Sequence, residues 1–131
     1  MTICAVGTMV KTATEAARLL REQNISIAVV NMRFVKPFDT ELIKQSARAS
    51  KLLVTCEEGT LNGGFGSAVA ELLADEKIST PLLRLGIKDE FIEQGTRAEL
   101  LDMCGLTAQK ISRRILERLN DFIFDFLMVT T

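Results

Sequence analysis

Histidine is absent from this chain. Without an imidazole there is no serine–histidine or cysteine–histidine pair, and the usual proton shuttle and metal-binding nitrogen near neutral pH is missing. Cysteine is sparse: Cys4, Cys56 and Cys104 are odd in number and far apart, with no Cys-x-x-Cys spacing. That speaks against a disulfide frame or a zinc site and for a reducing compartment. Cys4 and Cys56 fall within apolar runs and read as small buried hydrophobes. No apolar run reaches the length of a membrane span, and the first residues do not read as a signal peptide. The net charge is -1, and no basic stripe carries interleaved aromatics. The expectation is a cytoplasmic protein with neither a membrane nor a nucleic-acid partner.

What is present is enough for a core. The chain has 131 residues, of which 47% are hydrophobic, so residues 1–131 are expected to form one domain. The most informative stretch is LLVTCEEGTLNGGFGSAVAELLAD, residues 52–75. Residues 52–56 are a short apolar run, as for a strand buried on both faces. Glu57, Glu58 and Gly59 read as its end. Gly63, Gly64 and Gly66 remove side chains where the backbone bends or approaches something closely. Phe65, Ala68, Val69, Leu72 and Leu73 then recur at helical spacing.

The glycine loop fails the tests for a phosphate cradle. Gly64 and Gly66 are followed by Val69 where a dinucleotide fingerprint needs a small third residue, and no Walker lysine follows. No lysine or arginine lies between Lys51 and Lys77. Glu57 and Glu58 would repel a phosphate. A tight turn that lets a helix pack closely on a sheet or a neighbouring domain is the better reading. Adjacent in an extended chain, the two glutamates point to opposite faces, which disfavours a joint acid–base role. A polar rim that holds backbone amides or a partner fits them better.

The rest of the chain alternates strand and helix. Thr2–Val6 reads as a strand ended by Gly7. Thr12 with Glu15 has capping-box spacing before Ala16, Ala17, Leu19 and Leu20, and Asn24 is the expected stop. Residues 25–30 are rich in β-branched side chains. Lys36, Pro37, Phe38 and Asp39 are punctuation, with Asp39 as a cap for a helix carrying Leu42, Ile43 and Ala47. Arg33 is expected to pair with Asp39 or a loop glutamate. Residues 81–85 read as a fourth strand, followed by a loop with Phe91 and Ile92. Thr96 with Glu99 is a second capping box, opening a short helix that ends near Gly105. Thr107 caps a last helix whose face is Ile111, Ile115, Leu119, Phe122 and Phe126.

Such alternation implies parallel βαβ units and right-handed crossovers. The fold class is α/β: a three-layer α/β/α open sheet of four mainly parallel strands in order 2-1-3-4. Its switch point falls between the first and third strands, where open sheets hold ligands and partners. The crevice there is expected to be lined by Gly7, Thr8 and Met9 on one side. On the other stand Glu57, Glu58, Gly59, Asn62, Gly63, Gly64, Phe65 and Gly66. We expect it to be a contact surface, in which a bulky residue at position 64 disturbs assembly more than folding. A second candidate surface is the tail: Phe122, Ile123, Phe124, Phe126, Leu127 and Met128 are too apolar all round for a solvated helix end. The tail is expected to dock in a groove on this domain or on a partner copy.

The segments VVNMRFVKPFD, LLVTCEEGTLNGGFGSAVAELLAD and LRLGIKDEFIEQGTRAELLDMCGL resemble the carboxyl-terminal domain of the 1-deoxy-D-xylulose-5-phosphate synthase family. That family belongs to the transketolase-like, thiamine-diphosphate-dependent group. The likeness runs from AVGTMV to the final helix. The Arg33 to Pro37 turn and the Glu57 to Gly64 loop are shared more loosely with transketolases and two-oxoacid dehydrogenase beta subunits. The resemblance implies an enzyme that joins pyruvate to glyceraldehyde 3-phosphate for isoprenoid, thiamine and pyridoxal synthesis. It also implies thiamine diphosphate and magnesium in the complete enzyme, preceding cofactor-binding domains as partners, and a homodimer. The Gly-Asp-Gly motif for magnesium and diphosphate is missing here. No catalytic, cofactor-binding or metal-binding residue is therefore carried over, and the isolated chain is expected to be inactive. Related chains also have an edge strand before the one at Thr2–Val6. This suggests a fragment of a larger chain or a short gene product. A split transketolase and a free-standing small-ligand or regulatory module stay open as alternatives.

Overall fold

A computed structural model describes residues 1–90 and 94–130, and of residues 126, 129 and 130 the backbone alone. Phe91, Ile92 and the side chain of Phe126 lie outside the described residues. The elements run β1 (Thr2–Val6), α1 (Met9–Arg21), β2 (Ala28–Met32), α2 (Thr40–Arg48), β3 (Leu53–Thr60), α3 (Phe65–Asp75), β4 (Leu82–Ile87), α4 (Arg97–Met103) and α5 (Ala108–Thr130). The four strands form one sheet in the order β2-β1-β3-β4, every pair parallel.

Strand alternation divides the core into two layers. Ile3, Ala5, Val54, Cys56, Leu83 and Leu85 face α1 and α5, where Ala13, Ala16, Ala17, Leu20, Ile111 and Ile115 are buried against them. Cys4, Met32 and Leu53 face the opposite way, onto Ile43 and Ala47 of α2 and Phe65, Val69 and Leu73 of α3. Both faces of the sheet are covered, which is why its strands read as continuous apolar runs.

Local signals hold where the partners are close in sequence. Asp39 Oδ1 accepts the Leu42 N–H at 3.0 Å and caps α2. Thr96 and Glu99 form a reciprocal capping box at the start of α4. Asn24 leaves α1 with a positive φ of 63°. Several expectations need correction. The first helix opens a turn earlier than the Thr12–Glu15 spacing suggests. Met9 is fully buried, and the Val10 N–H donates to the Gly7 carbonyl at 3.2 Å, so the helix follows directly on the turn. Thr12 then lies within the helix, and Glu15 pairs with Arg18 at 2.7 Å instead. β2 starts at Ala28 rather than residue 25, because the Ile25 N–H closes α1 by donating to the Leu20 carbonyl at 3.1 Å. β3 does not stop at Glu57. It continues to Thr60, with an irregular register against β4 between Cys56 and Thr60. β4 likewise reaches Ile87. Arg33 is exposed and joins no ion pair among the described residues.

Candidate functional site

The strand order brings the carboxyl ends of β2, β1 and β3 to one edge, and a crevice of about 960 Å³ opens there. Gly7 and Thr8 stand on one side and Glu57, Glu58, Gly59, Gly63, Gly64 and Phe65 on another, as the sequence suggests. Gly7 turns the chain with a φ of +59°, a conformation that L side chains rarely adopt. Three of the expected residues do not line the space: Met9, Asn62 and Gly66. Met9 is fully buried in the α1 layer. Gly66 packs inward, where a Cβ would lie 2.8 Å from Thr55 Oγ1. A third wall escaped the sequence reading: Val35, Lys36, Pro37 and Phe38 from the segment between β2 and α2, with Thr40, the first residue of α2. The signal was available, since order 2-1-3 sets that loop beside the crevice. Phe38 meets Phe65 edge to face, with ring centroids 5.8 Å apart and planes at 90°. With Val6, Val35, Pro37 and Ala68, these rings make the walls largely apolar.

Glu57 decides what this loop can hold. Its side chain turns inward, and the residue is only 5% exposed. Oε1 accepts the Phe65 N–H at 2.9 Å and Oε2 accepts the Gly66 N–H at 2.6 Å. The unsatisfied amides at a helix start, with the positive end of the helix dipole, attract an anion. Here the chain's own carboxylate fills that place. Gly59 and Gly64 leave room for it: a Cβ at 59 would lie 2.7 Å from Glu57 Oε1, and one at 64 would overlap both that oxygen and the Thr60 carbonyl. The loop is pinned from behind. Arg84 Nη1 donates to the Leu61 carbonyl and to Ser67 Oγ, both at 3.1 Å, and Ser67 Oγ donates to the Leu61 carbonyl at 2.5 Å.

Glu58 points the other way and pairs with Arg97 at the start of α4. Beneath them, burial pushes the Cys56 thiol up to about 12, with the charges of Glu57 and Glu58 adding to the effect. The arrangement is one of held backbone rather than poised chemistry. Among the described residues no three His, Cys, Asp or Glu side chains come together as a metal site. The start of α3 offers no place for a diphosphate, since Glu57 occupies it, and the surrounding walls are largely apolar.

The tail divides between two faces of α5. Phe122 packs against the core beside Leu119. Ile123, Phe124, Leu127 and Met128 are exposed.

A family model described as transketolase, C-terminal domain, matches residues 1–111. The chain is 52% identical over 113 residues to a 1-deoxy-D-xylulose-5-phosphate synthase of Synechococcus sp. (strain JA-2-3B'a(2-13)), covering 86% of this chain and 17% of that protein. It is 50% identical over 118 residues to the same-named protein of Gloeobacter violaceus, covering 90% of this chain and 18% of that protein. The chain thus spans less than a fifth of these curated relatives. Among solved structures it is similar to a split gene transketolase described as an inactive beta4 tetramer, with a TM-score of 0.83 and 40% identity over 91% of this chain and 39% of that one. A transketolase from Campylobacter jejuni shares the fold at a TM-score of 0.60 and 20% identity, over 88% of this chain and 16% of that one.

Proposed function

Because the chain belongs to the transketolase carboxyl-terminal domain family, we propose that it is the structural and interface domain of a 1-deoxy-D-xylulose-5-phosphate synthase. The complete enzyme condenses pyruvate with glyceraldehyde 3-phosphate, using thiamine diphosphate and magnesium held by its preceding domains. It works in the cytoplasm as a homodimer. In this reading the present domain holds subunit architecture, and the crevice at Gly7, Glu57 and Gly64 receives a neighbouring domain.

One observation carries the division of labour: Glu57 accepts the first amides of α3 where that helix opens on the crevice, so the glycine loop presents a filled, largely apolar surface. The similarity to synthase chains at 52% and 50% identity supports the choice of enzyme. No helix among the described residues is long and apolar enough to cross a membrane, which accords with the cytoplasmic reading.

The experiment is a domain exchange. This chain replaces the matching segment of the Gloeobacter violaceus synthase, and formation of deoxyxylulose phosphate is followed. An active hybrid is expected. A soluble, folded hybrid without activity would overturn the assignment. Alongside it, calorimetric titration of the purified chain with thiamine diphosphate and magnesium should show no micromolar binding. The likeness to the split gene transketolase favours a second reading, a part of a separately encoded transketolase subunit. Activity of a hybrid with that subunit, and none with the synthase, would select it.

A further inference from the structure

The helix α5 is 23 residues long and carries two apolar faces. Ile111 and Ile115 are fully buried and Leu119 and Phe122 pack beside them, so this face is spent on the core. The second face begins at Ile123 and Phe124, which are 59% and 63% exposed, and continues one turn later at the exposed Leu127 and Met128. Positions i, i+1, i+4 and i+5 form one stripe along a helix. The stripe lies beyond residues 1–111, the part that the family model describes.

Charge along the same helix is sorted by position. Lys110, Arg113, Arg114 and Arg118 stand in the first half, with Glu117 as the single acid. Asp121 and Asp125 stand in the second half, and no basic residue follows Arg118. A parallel pair of such helices sets like charge against like. An antiparallel pair sets the acidic half of each against the basic half of the other, and it also opposes the two helix dipoles.

We infer that the outer face of α5 is a contact between two copies of this chain, packed antiparallel about a point near Asn120. Ile123 and Phe124 of each copy then lie along the first half of the other copy's helix and leave water. Asp121 and Asp125 face the partner's arginine-rich half, which fixes the direction. This contact is independent of the crevice and stands whichever enzyme the domain serves.

The test uses the full chain. Sedimentation equilibrium at micromolar concentration should give twice the single-chain mass of 14.5 kDa. Ile123→Glu with Phe124→Glu should give a monomer whose circular dichroism is unchanged, since both side chains are exposed. Asp121→Lys with Asp125→Lys should weaken self-association by about tenfold. Mixing that variant with the Arg114→Glu, Arg118→Glu variant should restore a dimer. A chain that is monomeric throughout, a dimer that survives the Ile123→Glu, Phe124→Glu change, or charge variants that fail to pair when mixed would each overturn the inference.

Discussion

Glu57 and Gly66 join the end of β3 to the start of α3: the Gly66 N–H lies 2.6 Å from Glu57 Oε2. The other carboxylate oxygen takes the Phe65 N–H at 2.9 Å. A buried carboxylate needs partners, and a helix start needs an acceptor. Each group answers the other's need. The loop between them, residues 58–64, is thereby held closed, and its outer surface forms one rim of the crevice.

Glu57→Ala should therefore cost stability well beyond an ordinary surface change. It leaves two amides without their acceptor inside a covered site, a loss of about 1–3 kcal/mol. Urea denaturation of the purified chain measures it. Glu57→Gln keeps one acceptor oxygen but turns an amide donor toward a donor, so it should fall between the two. A midpoint for Glu57→Ala equal to that of the parent would show that the carboxylate is not the cap.

Gly64 is expected to matter for folding before it matters for assembly, contrary to what the sequence suggests for a contact loop. A Cβ there would overlap both the Glu57 carboxylate and the Thr60 carbonyl, and the latter is backbone and cannot rotate away. Even Gly64→Ala should lower the melting temperature, by a loss of about 1–3 kcal/mol typical of overpacking. Gly64→Ala melting with the parent would contradict this geometry.

The sequence made the fold legible because most of its signals are local. Asp39 and Thr96 cap residues three positions on, and the β1, α3 and sheet-order expectations follow from apolar runs and their alternation. Long-range partners were not legible. The amides that hold Glu57 are eight and nine residues away, across a loop, so the residue reads as a strand breaker although it is a strand member. Thr12 and Glu15 have ideal capping spacing, yet burial of Met9 starts the helix earlier, and packing outranks local preference. The Val35 to Phe38 wall reads as punctuation, since only the sheet order sets it beside Phe65.

Thr55 offers a stabilising change. Its residue is fully buried in β3, and among the described residues its Oγ1 has no hydrogen-bond partner. An unpaired buried hydroxyl costs about 1–3 kcal/mol. Thr55→Val keeps the branched shape and removes the polar atom, so the melting temperature should rise. A fall would mean that the hydroxyl has a partner that the geometry does not reveal.

The two buried thiols should make the fold sensitive to alkali. Burial pushes Cys4 and Cys56 up to about 12 from an ordinary 9.0. In the unfolded chain these thiols ionise above pH 9, whereas in the folded chain they keep their protons. Between those values the folded state binds more protons, so stability falls as pH rises from 9 toward 12. The slope is about 1.4 kcal/mol per pH unit for each thiol. Replacing both by alanine should flatten the denaturation midpoint against pH in this window. Below pH 9 the thiols are neutral in both states and contribute no slope. Thiol labelling of the folded chain should also reach the partly exposed Cys104 first.

The inner and outer faces of α5 should separate in a truncation series. Phe122 packs with Leu119 against the α1 side of the core, whereas Ile123 and Phe124 do not. A chain ending after Phe122 loses the outer stripe but keeps that packing. It should melt close to the parent when both are measured at a concentration where the parent is monomeric. A chain ending after Arg118 loses Leu119 and Phe122 as well. Each is partly covered, and fully burying such a side chain is worth about 1.5–3 kcal/mol, so the two together should lower the melting temperature clearly. Equal melting of the two truncated chains would show that Leu119 and Phe122 do not hold the helix to the domain. A large drop already on removal of residues 123–131 would show that the outer stripe serves this domain's own core.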